Sequence, residues 1–294
     1  MNNNTGDDHQ MPNPAWIDGK TCDLSEATVR LEDRAYFFGD GIYEAIRVYS
    51  KNPFYLQAHL DRLHRSADAI NLKLPYSDEE ISSACSDLIR LSGYDEAYIY
   101  MQVSRGVAPR EHSFPKNAKP SMSIYVREIP SAMIEQVARP AACITVPDER
   151  WMNCYIKSVN LLPNCLARQQ AVEAGASEAI LYRPGGVVTE GTRSNIFAVI
   201  GGEVRTHPES NLILSGITRR IILDIIASLR IPCREEAFTL EELPSASEVW
   251  VTSTISELQP VAGINGSAVK GNLPGEYAKA VKAEFKKEVD SVRA

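Results

Sequence analysis

Strand patterns and helix patterns follow one another along this chain without a regular strand–helix–strand alternation. Ala45–Tyr49 alternates apolar and polar residues, which predicts a strand. The turn sequence SKNP at 50–53 then predicts a hairpin with a second strand at Phe54–Leu56. Apolar residues at helical spacing predict a helix over Ala58–Ile70. This mixture favours an α+β fold over a doubly wound parallel sheet, which needs strict alternation.

Similar patterns continue to the end of the chain. Ser77 followed by Glu80 is a capping box, and it predicts a helix over Asp78–Leu91. Three further helices are predicted, at Leu162–Ala174, Ile217–Leu229 and Gly275–Val289. The predicted strands are Thr28–Leu31, Ala97–Val103, Ser121–Val126, Ala142–Val146, Glu178–Tyr182, Asn195–Ile200, Glu203–Thr206 and Glu248–Thr252.

The length of 294 residues corresponds to about two domains of ordinary size. A polar stretch without periodicity around Pro130 is the candidate linker. We therefore predict a disordered tail over 1–14, a small N-terminal domain over 15–127, a linker over 128–134 and a larger C-terminal domain over 135–294.

Composition excludes several classes of protein. The net charge of −7 argues against binding to nucleic acid or to an anionic membrane. No apolar run approaches the roughly 18 residues of a membrane span, and the N-terminus lacks the pattern of a signal peptide. The six cysteines lack C-x-x-C spacing, so we predict buried free thiols, no metal site and a cytoplasmic location. Cys143 and Cys154 fall in strand patterns, and Cys165 falls in a helix pattern.

Two charged residues lie in sequences suited to cofactor chemistry. Lys157 lies among apolar and small residues, and a desolvated lysine amine can form a Schiff base with an aldehyde. The alternative is a lysine whose ammonium reaches water. Glu190 ends a strand pattern before a small polar loop, where it would serve either as an ordinary turn residue or as the partner of a protonated ring nitrogen.

Other motifs are suited to binding anions. The sequence Gly216-Ile217-Thr218 opens a helix whose free N–H groups can hold a phosphate. Thr252-Ser253-Thr254 and Arg62 offer further donors, although capping and a solvated helix face explain them equally well. In the loop at 105–115, Arg110 and His112 could bind a carboxylate or simply form a basic surface.

The order of these motifs, from Tyr43 through Lys157 and Glu190 to Thr254, resembles the fold-type IV pyridoxal-phosphate aminotransferases. The resemblance runs from about Trp16 to about Val289. It implies an α+β fold of two domains, with a small N-terminal α/β domain. The loop with Arg110 and His112 makes the chain most similar to the D-amino-acid transaminases within that family. Branched-chain L-amino-acid aminotransferases and 4-amino-4-deoxychorismate lyases are the alternatives.

The resemblance also implies a role for each motif. It makes Lys157 the catalytic residue that carries pyridoxal 5'-phosphate and moves the substrate proton, and it places Glu190 at the pyridine nitrogen. The phosphate is assigned to Arg62, Ile217, Thr218, Ser253 and Thr254. The substrate carboxylate is assigned to Tyr43, Arg110 and His112.

The resemblance further implies a homodimer with its active site at the subunit interface, where Arg110 and His112 reach in from the partner subunit. The implied substrates are D-amino acids and 2-oxo acids such as 2-oxoglutarate and pyruvate. The chain departs from the D-amino-acid transaminases at Thr192-Arg193, where the family has small serines.

Overall fold

The computed structural model describes residues 11–293, and the chain divides into two compact units between Ile129 and Pro130. The elements of the first unit are the strands β1 (Pro14–Ile17), β2 (Lys20–Asp23), β3 (Gly41–Tyr49), β4 (Asn52–Pro53), β5 (Glu96–Ser104) and β6 (Ser121–Glu128), and the helices α1 (Arg34–Phe38), α2 (Leu56–Ala69) and α3 (Asp78–Ser92).

An antiparallel sheet of six strands, in the order β2-β1-β6-β5-β3-β4, organises the first unit. Burial alternates along β5: Ala97, Ile99, Met101 and Val103 are buried, whereas Tyr98 and Tyr100 between them are half-buried. The predicted capping box is present, since Ser77 accepts from the Glu80 N–H and the Glu80 carboxylate accepts from the Ser77 N–H. That reciprocal pair satisfies two donors at the start of α3.

The elements of the second unit are the strands β7 (Ala141–Pro147), β8 (Glu178–Arg183), β9 (Val187–Gly191), β10 (Asn195–Ile200), β11 (Glu203–Thr206), β12 (Cys233–Glu235), β13 (Glu248–Ser253), β14 (Glu257–Ile264) and β15 (Ser267–Ala268), and the helices α4 (Ser131–Ala138), α5 (Leu162–Glu173), α6 (Ile217–Ser228) and α7 (Glu276–Arg293).

A mixed sheet of nine strands organises the second unit, in the order β12-β11-β10-β13-β14-β7-β8-β9 with β15 beside β14. The strand β7 runs parallel to β8 and β14, and β11 runs parallel to β12, whereas the other pairs are antiparallel. Buried residues such as Val188, Ile196, Val251 and Phe238 form its main core. The α+β prediction is therefore correct: helices and strands mix in both units.

Four local predictions differ from the structure. Thr28–Leu31 is not a strand, because it pairs with no other strand and leaves Val29 and Leu31 exposed. The second hairpin strand ends at Pro53, and Leu56 instead begins α2. Cys154 lies in a turn rather than a strand. The six cysteines are free, but Cys165 is exposed.

The predicted ends of the first domain also differ in detail. Residues 1–10 of the predicted tail lie outside the described residues, but Pro14 begins β1 and the Met11 N–H donates to the Leu91 carbonyl at 2.9 Å. Within the predicted linker over 128–134, Glu128 ends β6 and Ser131 begins α4. Within residues 11–293, no helix combines the length and the apolar character that a membrane crossing requires.

Candidate active site

Glu190 is the centre of a buried polar cluster in the second unit. It lies near the end of β9, and 4% of the residue is exposed. Its Oε2 atom accepts from Asn195 Nδ2 at 2.9 Å and from the Leu214 N–H at 3.0 Å. Its Oε1 atom accepts from Nη1 of Arg150. Every group that contacts the carboxylate here is a donor, which is the arrangement that an anion requires.

Arg150 is held by a second carboxylate. Its Nε and Nη2 atoms donate to the two oxygens of Asp148, at 2.9 and 2.8 Å. Asp148 also accepts from the Thr189 hydroxyl at 2.9 Å and forms an ion pair with Arg183 at 3.2 Å. Both oxygens of Asp148 are thus occupied by Arg150, which reaches Glu190 with only one nitrogen.

Burial and charge act in opposite directions on Glu190. Burial raises the pKa of this carboxyl group, because removing an anion from water is unfavourable. The Arg150 guanidinium and the Leu214 N–H oppose that rise without cancelling it. Burial raises the pKa of the nearby Cys154 thiol as well. The charge of Glu190 is therefore incompletely compensated, and a further cation beside it would stabilise its anionic form.

The turn after Glu190 is fixed by another buried carboxylate. Glu178 Oε1 accepts from the Thr192 N–H at 3.1 Å and from its hydroxyl at 2.5 Å, and Oε2 accepts from the Ser194 hydroxyl at 2.9 Å. A side chain at Gly191 would place its Cβ 2.2 Å from the Ser194 hydroxyl, so a larger residue would displace the Ser194 side chain from Glu178. Arg193, at the middle of the turn, is exposed.

The segment at 211–214 connects the Lys157 loop to the Glu190 cluster. The Asn211 carbonyl accepts from the Cys154 N–H at 2.8 Å, three residues before Lys157. The Leu212 carbonyl accepts from Arg150 at 3.2 Å, and the Leu214 N–H is the donor to Glu190. Lys157 itself is half-buried and lies between the buried residues Ile156 and Ser158.

The start of α6 lies beside the same cluster. Gly216 precedes the helix, and no side chain caps it. A Cβ at Gly216 would lie 2.1 Å from Oδ1 of Asn195, the residue that donates to Glu190, so a larger residue would disturb the cluster. Ile217 and Thr218 are buried in the first turn. This helix end offers free N–H groups and a hydroxyl, a combination that binds phosphate in many proteins.

The other hydroxyl candidates lie at the end of β13. Ser253 and Thr254 are half-buried, whereas Thr252 is buried. The Ser253 hydroxyl accepts from the Ser256 N–H at 3.1 Å, so it fixes the turn that follows the strand. Since a hydroxyl both accepts and donates, this contact leaves its hydrogen available to a ligand.

In the first unit, Arg62 binds a buried glutamate. Its Nε and Nη2 atoms donate to the two oxygens of Glu44, each at 2.7 Å, and His59 Nδ1 lies 2.7 Å from Oε2. Burial raises the pKa of Glu44, but the charges and hydrogen bonds of Arg62 and His59 outweigh it and hold that pKa well below its ordinary value. The guanidinium of Arg62 is therefore fixed in place.

Tyr43 lies on β3, on the half-buried face of the first sheet. Its ring stacks on Tyr100 with a centroid distance of 5.6 Å, and Tyr100 stacks on Tyr125 at 5.1 Å. Burial raises the pKa of Tyr100 and of Tyr125, so both phenols remain neutral at ordinary pH. Tyr43 thus belongs to an aromatic surface that spans three neighbouring strands.

A buried arginine fixes the backbone of the loop that carries Arg110 and His112. Arg34 donates to the carbonyl oxygens of Glu111 and His112, at 2.5 and 3.3 Å. The Phe38 ring lies 5.3 Å from the Arg110 guanidinium carbon and 5.4 Å from the His112 ring centre. The loop backbone is fixed, whereas the side chains of Arg110 and His112 are exposed.

Comparisons with known proteins decide the family. A model of the family "Amino-transferase class IV" matches residues 41–264. The chain belongs to this family. It is 42% identical over 277 residues to the D-alanine aminotransferase of Staphylococcus haemolyticus, covering 94% of this chain and 98% of that protein.

Solved structures agree with this assignment. The branched-chain aminotransferase of Thermoproteus uzoniensis, solved with norvaline, has a TM-score of 0.85 at 28% identity, covering 94% of this chain and 95% of that one. A T.th. branched-chain aminotransferase, solved with pyridoxamine 5'-phosphate, has a TM-score of 0.82 at 26% identity, covering 94% of each chain. The prediction of a pyridoxal-phosphate-dependent aminotransferase with the fold of this class is confirmed.

Sequence reasoning missed part of this architecture. It gave no role to Arg150, Asp148 or Glu178, and it did not identify Glu44 as the partner of Arg62. A signal was present for part of it. Asp148 and Arg150 place opposite charges two residues apart directly after an apolar strand, and such residues need a partner wherever they are buried. His59 and Arg62 are three residues apart, which places them on one face of α2.

Proposed function

We propose that this aminotransferase is a D-amino-acid transaminase. It would transfer the amino group of a D-amino acid, of the D-alanine or D-glutamate type, to a 2-oxo acid such as pyruvate or 2-oxoglutarate in a ping-pong cycle. The observation that supports this most is the 42% identity to a D-alanine aminotransferase over nearly the whole chain. The fixed loop that presents Arg110 and His112 is a second support.

The residues of the second unit fit pyridoxal phosphate. The uncapped start of α6 and the Thr218 hydroxyl suit a phosphate group, with Ser253 and Thr254 as further donors. Glu190 suits a protonated ring nitrogen, because its buried carboxylate is only partly compensated by Arg150. When bound, the cofactor supplies an electron sink for the bond that breaks at the substrate α-carbon.

The chain's own residues would do the remaining work. The Lys157 amine would hold the cofactor aldehyde until the substrate amine displaces it. The released amine would then remove the proton from the substrate α-carbon and later return it, as general base and general acid. Arg62, whose guanidinium is fixed by Glu44, would add an N–H donor for the phosphate. Tyr43, Arg110 and His112 would bind the α-carboxylate and thereby determine which face of the α-carbon meets Lys157.

We also propose a cytoplasmic homodimer with its active site at the subunit interface. In it, Arg110 and His112 would reach the active site of the partner subunit. Two observations support this arrangement: both side chains are exposed, and Arg34 fixes the backbone of their loop by hydrogen bonds. Sedimentation of the purified protein tests the dimer: a monomer with full activity would contradict it.

A panel of paired D- and L-amino acids tests the proposed specificity. The protein loaded with pyridoxal phosphate is mixed with each amino acid, and bleaching of its visible absorption band measures the first half-reaction. We expect D-alanine and D-glutamate to bleach the band at least about 100-fold faster than their L forms, because the docked carboxylate selects one face. Faster reaction with L-leucine or L-valine would show that the proposal is wrong.

One alternative has its own support. Branched-chain aminotransferases share the fold of this chain, with a TM-score of 0.85 for the Thermoproteus uzoniensis enzyme. The L-leucine arm of the panel tests that alternative. A further arm with 4-amino-4-deoxychorismate tests for a lyase of the same fold, which would release pyruvate without consuming a 2-oxo acid.

A further inference from the structure

Arg150 lies between two buried carboxylates and divides its nitrogens unequally between them. Two nitrogens form a fork on Asp148, and one donates to Glu190. Arg150 is only 9% exposed, so water screens these interactions weakly. Such a fork aims a guanidinium more rigidly than a single hydrogen bond does.

The charges that face Glu190 can be counted. Asp148 pairs with two cations, Arg150 and Arg183, so the cluster of these residues and Glu190 is neutral overall. The Cys154 thiol, whose pKa is raised by burial, adds no charge at neutral pH. Asn195 and the Leu214 N–H contribute dipoles only. The cluster thus supports an anion at Glu190, but only one guanidinium nitrogen contacts that carboxylate, since Arg183 pairs with Asp148 instead.

A fully neutralised Glu190 would bind a protonated ring nitrogen only weakly. A glutamate held by the full fork of an arginine, as Glu44 is by Arg62, has little attraction left for another cation. A buried glutamate without any arginine would take up a proton and lose its charge altogether. Because Arg150 gives two nitrogens to Asp148 and only one to Glu190, Glu190 can remain ionised and still attract another cation.

We propose that Arg150, aimed by Asp148, is a positioning residue that keeps Glu190 ionised and able to hold the cofactor ring nitrogen in its protonated form. This inference rests on the proposed function for its part in the reaction. The charge on the ring depends only on binding of the cofactor, so it can be tested whether or not the chain acts on D-amino acids.

The test is a pH titration of the visible absorption band of the bound cofactor, in wild type, Arg150→Gln and Arg150→Lys. Without the Arg150 charge, the ring becomes neutral, and the Lys157 nitrogen joined to the cofactor keeps its proton to higher pH. We expect the band in Arg150→Gln to titrate at least about one pH unit higher, and the half-reaction to slow about 100-fold, as on loss of one preorganised electrostatic group.

Two variants serve as references. Arg150→Lys retains the positive charge but cannot form the fork on Asp148, so we expect its band to titrate between those of wild type and Arg150→Gln. Arg205→Gln removes another mostly buried arginine of the same unit, which pairs with Glu236 and Glu242 away from Glu190, and we expect no shift. A wild-type titration in folded Arg150→Gln would overturn the proposal, as would an equal shift in Arg205→Gln.

A double variant decides the matter even if Arg150→Gln does not fold. Because Arg150 would act through Glu190, adding Arg150→Gln to Glu190→Gln should leave the band titration of Glu190→Gln unchanged. A further shift of about one unit in the double variant would overturn the proposal. If wild type binds the cofactor but rejects D-amino acids, the proposed specificity fails, whereas the titration still decides the role of Arg150.

Discussion

Each unit of the molecule contains a buried glutamate that contacts an arginine, but the two carboxyl groups are affected in opposite directions. In the first unit, both oxygens of Glu44 accept from Arg62, and His59 adds a third contact. The pKa of Glu44 is held well below its ordinary value, despite complete burial. In the second unit, burial dominates at Glu190, and the pKa is raised despite Arg150.

The difference lies in which carboxylate receives the arginine fork. Arg62 gives both nitrogens of its fork to Glu44, whereas Arg150 gives its fork to Asp148 and a single nitrogen to Glu190. A saturated ion pair fixes a side chain, and a partly compensated anion is ready to bind a cation. Burial and residue type alone therefore do not distinguish a structural glutamate from a functional one.

Glu44→Gln should have the largest effect on stability. The change leaves the buried guanidinium of Arg62 without its anion, and breaking a buried pair on one side costs about 3–5 kcal/mol. Denaturant unfolding of the cofactor-free protein measures the free energy of unfolding. If the free energy of unfolding falls by less than about 1 kcal/mol, the ion pair of Glu44 and Arg62 does not stabilise the first unit as expected.

Glu190→Gln should affect turnover more than stability. An amide cannot hold the ring nitrogen protonated, and we expect the rate constant of the half-reaction to fall about 100- to 1,000-fold. The free energy of unfolding should change little or increase, since a neutral group replaces a buried, partly compensated anion. Stopped-flow bleaching and denaturant unfolding measure the two quantities, and a severe loss of stability with intact turnover would reverse the comparison.

Gly216→Ala should have an intermediate effect, confined to the second cluster. The added methyl group would meet Oδ1 of Asn195 at 2.1 Å and displace the amide that donates to Glu190. Overpacking of this kind costs about 1–3 kcal/mol, and we expect weaker binding of the cofactor by a comparable amount. Titration of the cofactor-free variant with pyridoxal phosphate measures it. Unchanged affinity would show that Asn195 does not support the cofactor site.

The pH dependence of stability should have opposite signs at the two glutamates. The lowered pKa of Glu44 means that its contribution to the free energy of unfolding is complete above pH 4.5 and is lost as pH falls below that value. The stability of Glu44→Gln should therefore approach that of wild type in acid. The raised pKa of Glu190 means that its contribution to the free energy of unfolding is complete below pH 4.5 and is lost as pH rises. The stability of Glu190→Gln relative to wild type should therefore increase toward neutral pH.

These gains and losses amount to about 1.4 kcal/mol for each unit by which the folded pKa differs from the unfolded one. Denaturant unfolding of both variants and wild type from about pH 3 to about pH 8 measures them. Equal slopes in the two variants would contradict the opposite directions assigned to these carboxyl groups.

Local and ordered features could be predicted from the sequence. The capping box at Ser77 and the helix that begins at Ile217 are set by neighbouring residues, and both are present in the structure. The order of motifs around Lys157 and Glu190 was specific enough to predict the family. The exposed strand pattern at Thr28–Leu31 failed, because alternation alone does not supply a partner strand.

Long-range ion pairs could not be predicted in the same way. Glu44 and Arg62 are 18 residues apart, and Arg150 and Glu190 are 40 residues apart. Which nitrogen meets which oxygen depends on the packing of separate strands, loops and helices. Whether the Lys157 amine is desolvated or reaches water could not be predicted either, because apolar neighbours in the sequence do not determine how far a loop residue reaches toward solvent.

The central claim is that Lys157 holds pyridoxal phosphate beside Glu190. Borohydride reduction of the loaded protein, followed by peptide mass mapping, tests it most directly. We predict loss of the visible band and a single reduced adduct on Lys157, with no adduct and no turnover in Lys157→Ala. An adduct on another lysine, or wild-type turnover by Lys157→Ala, would contradict the account.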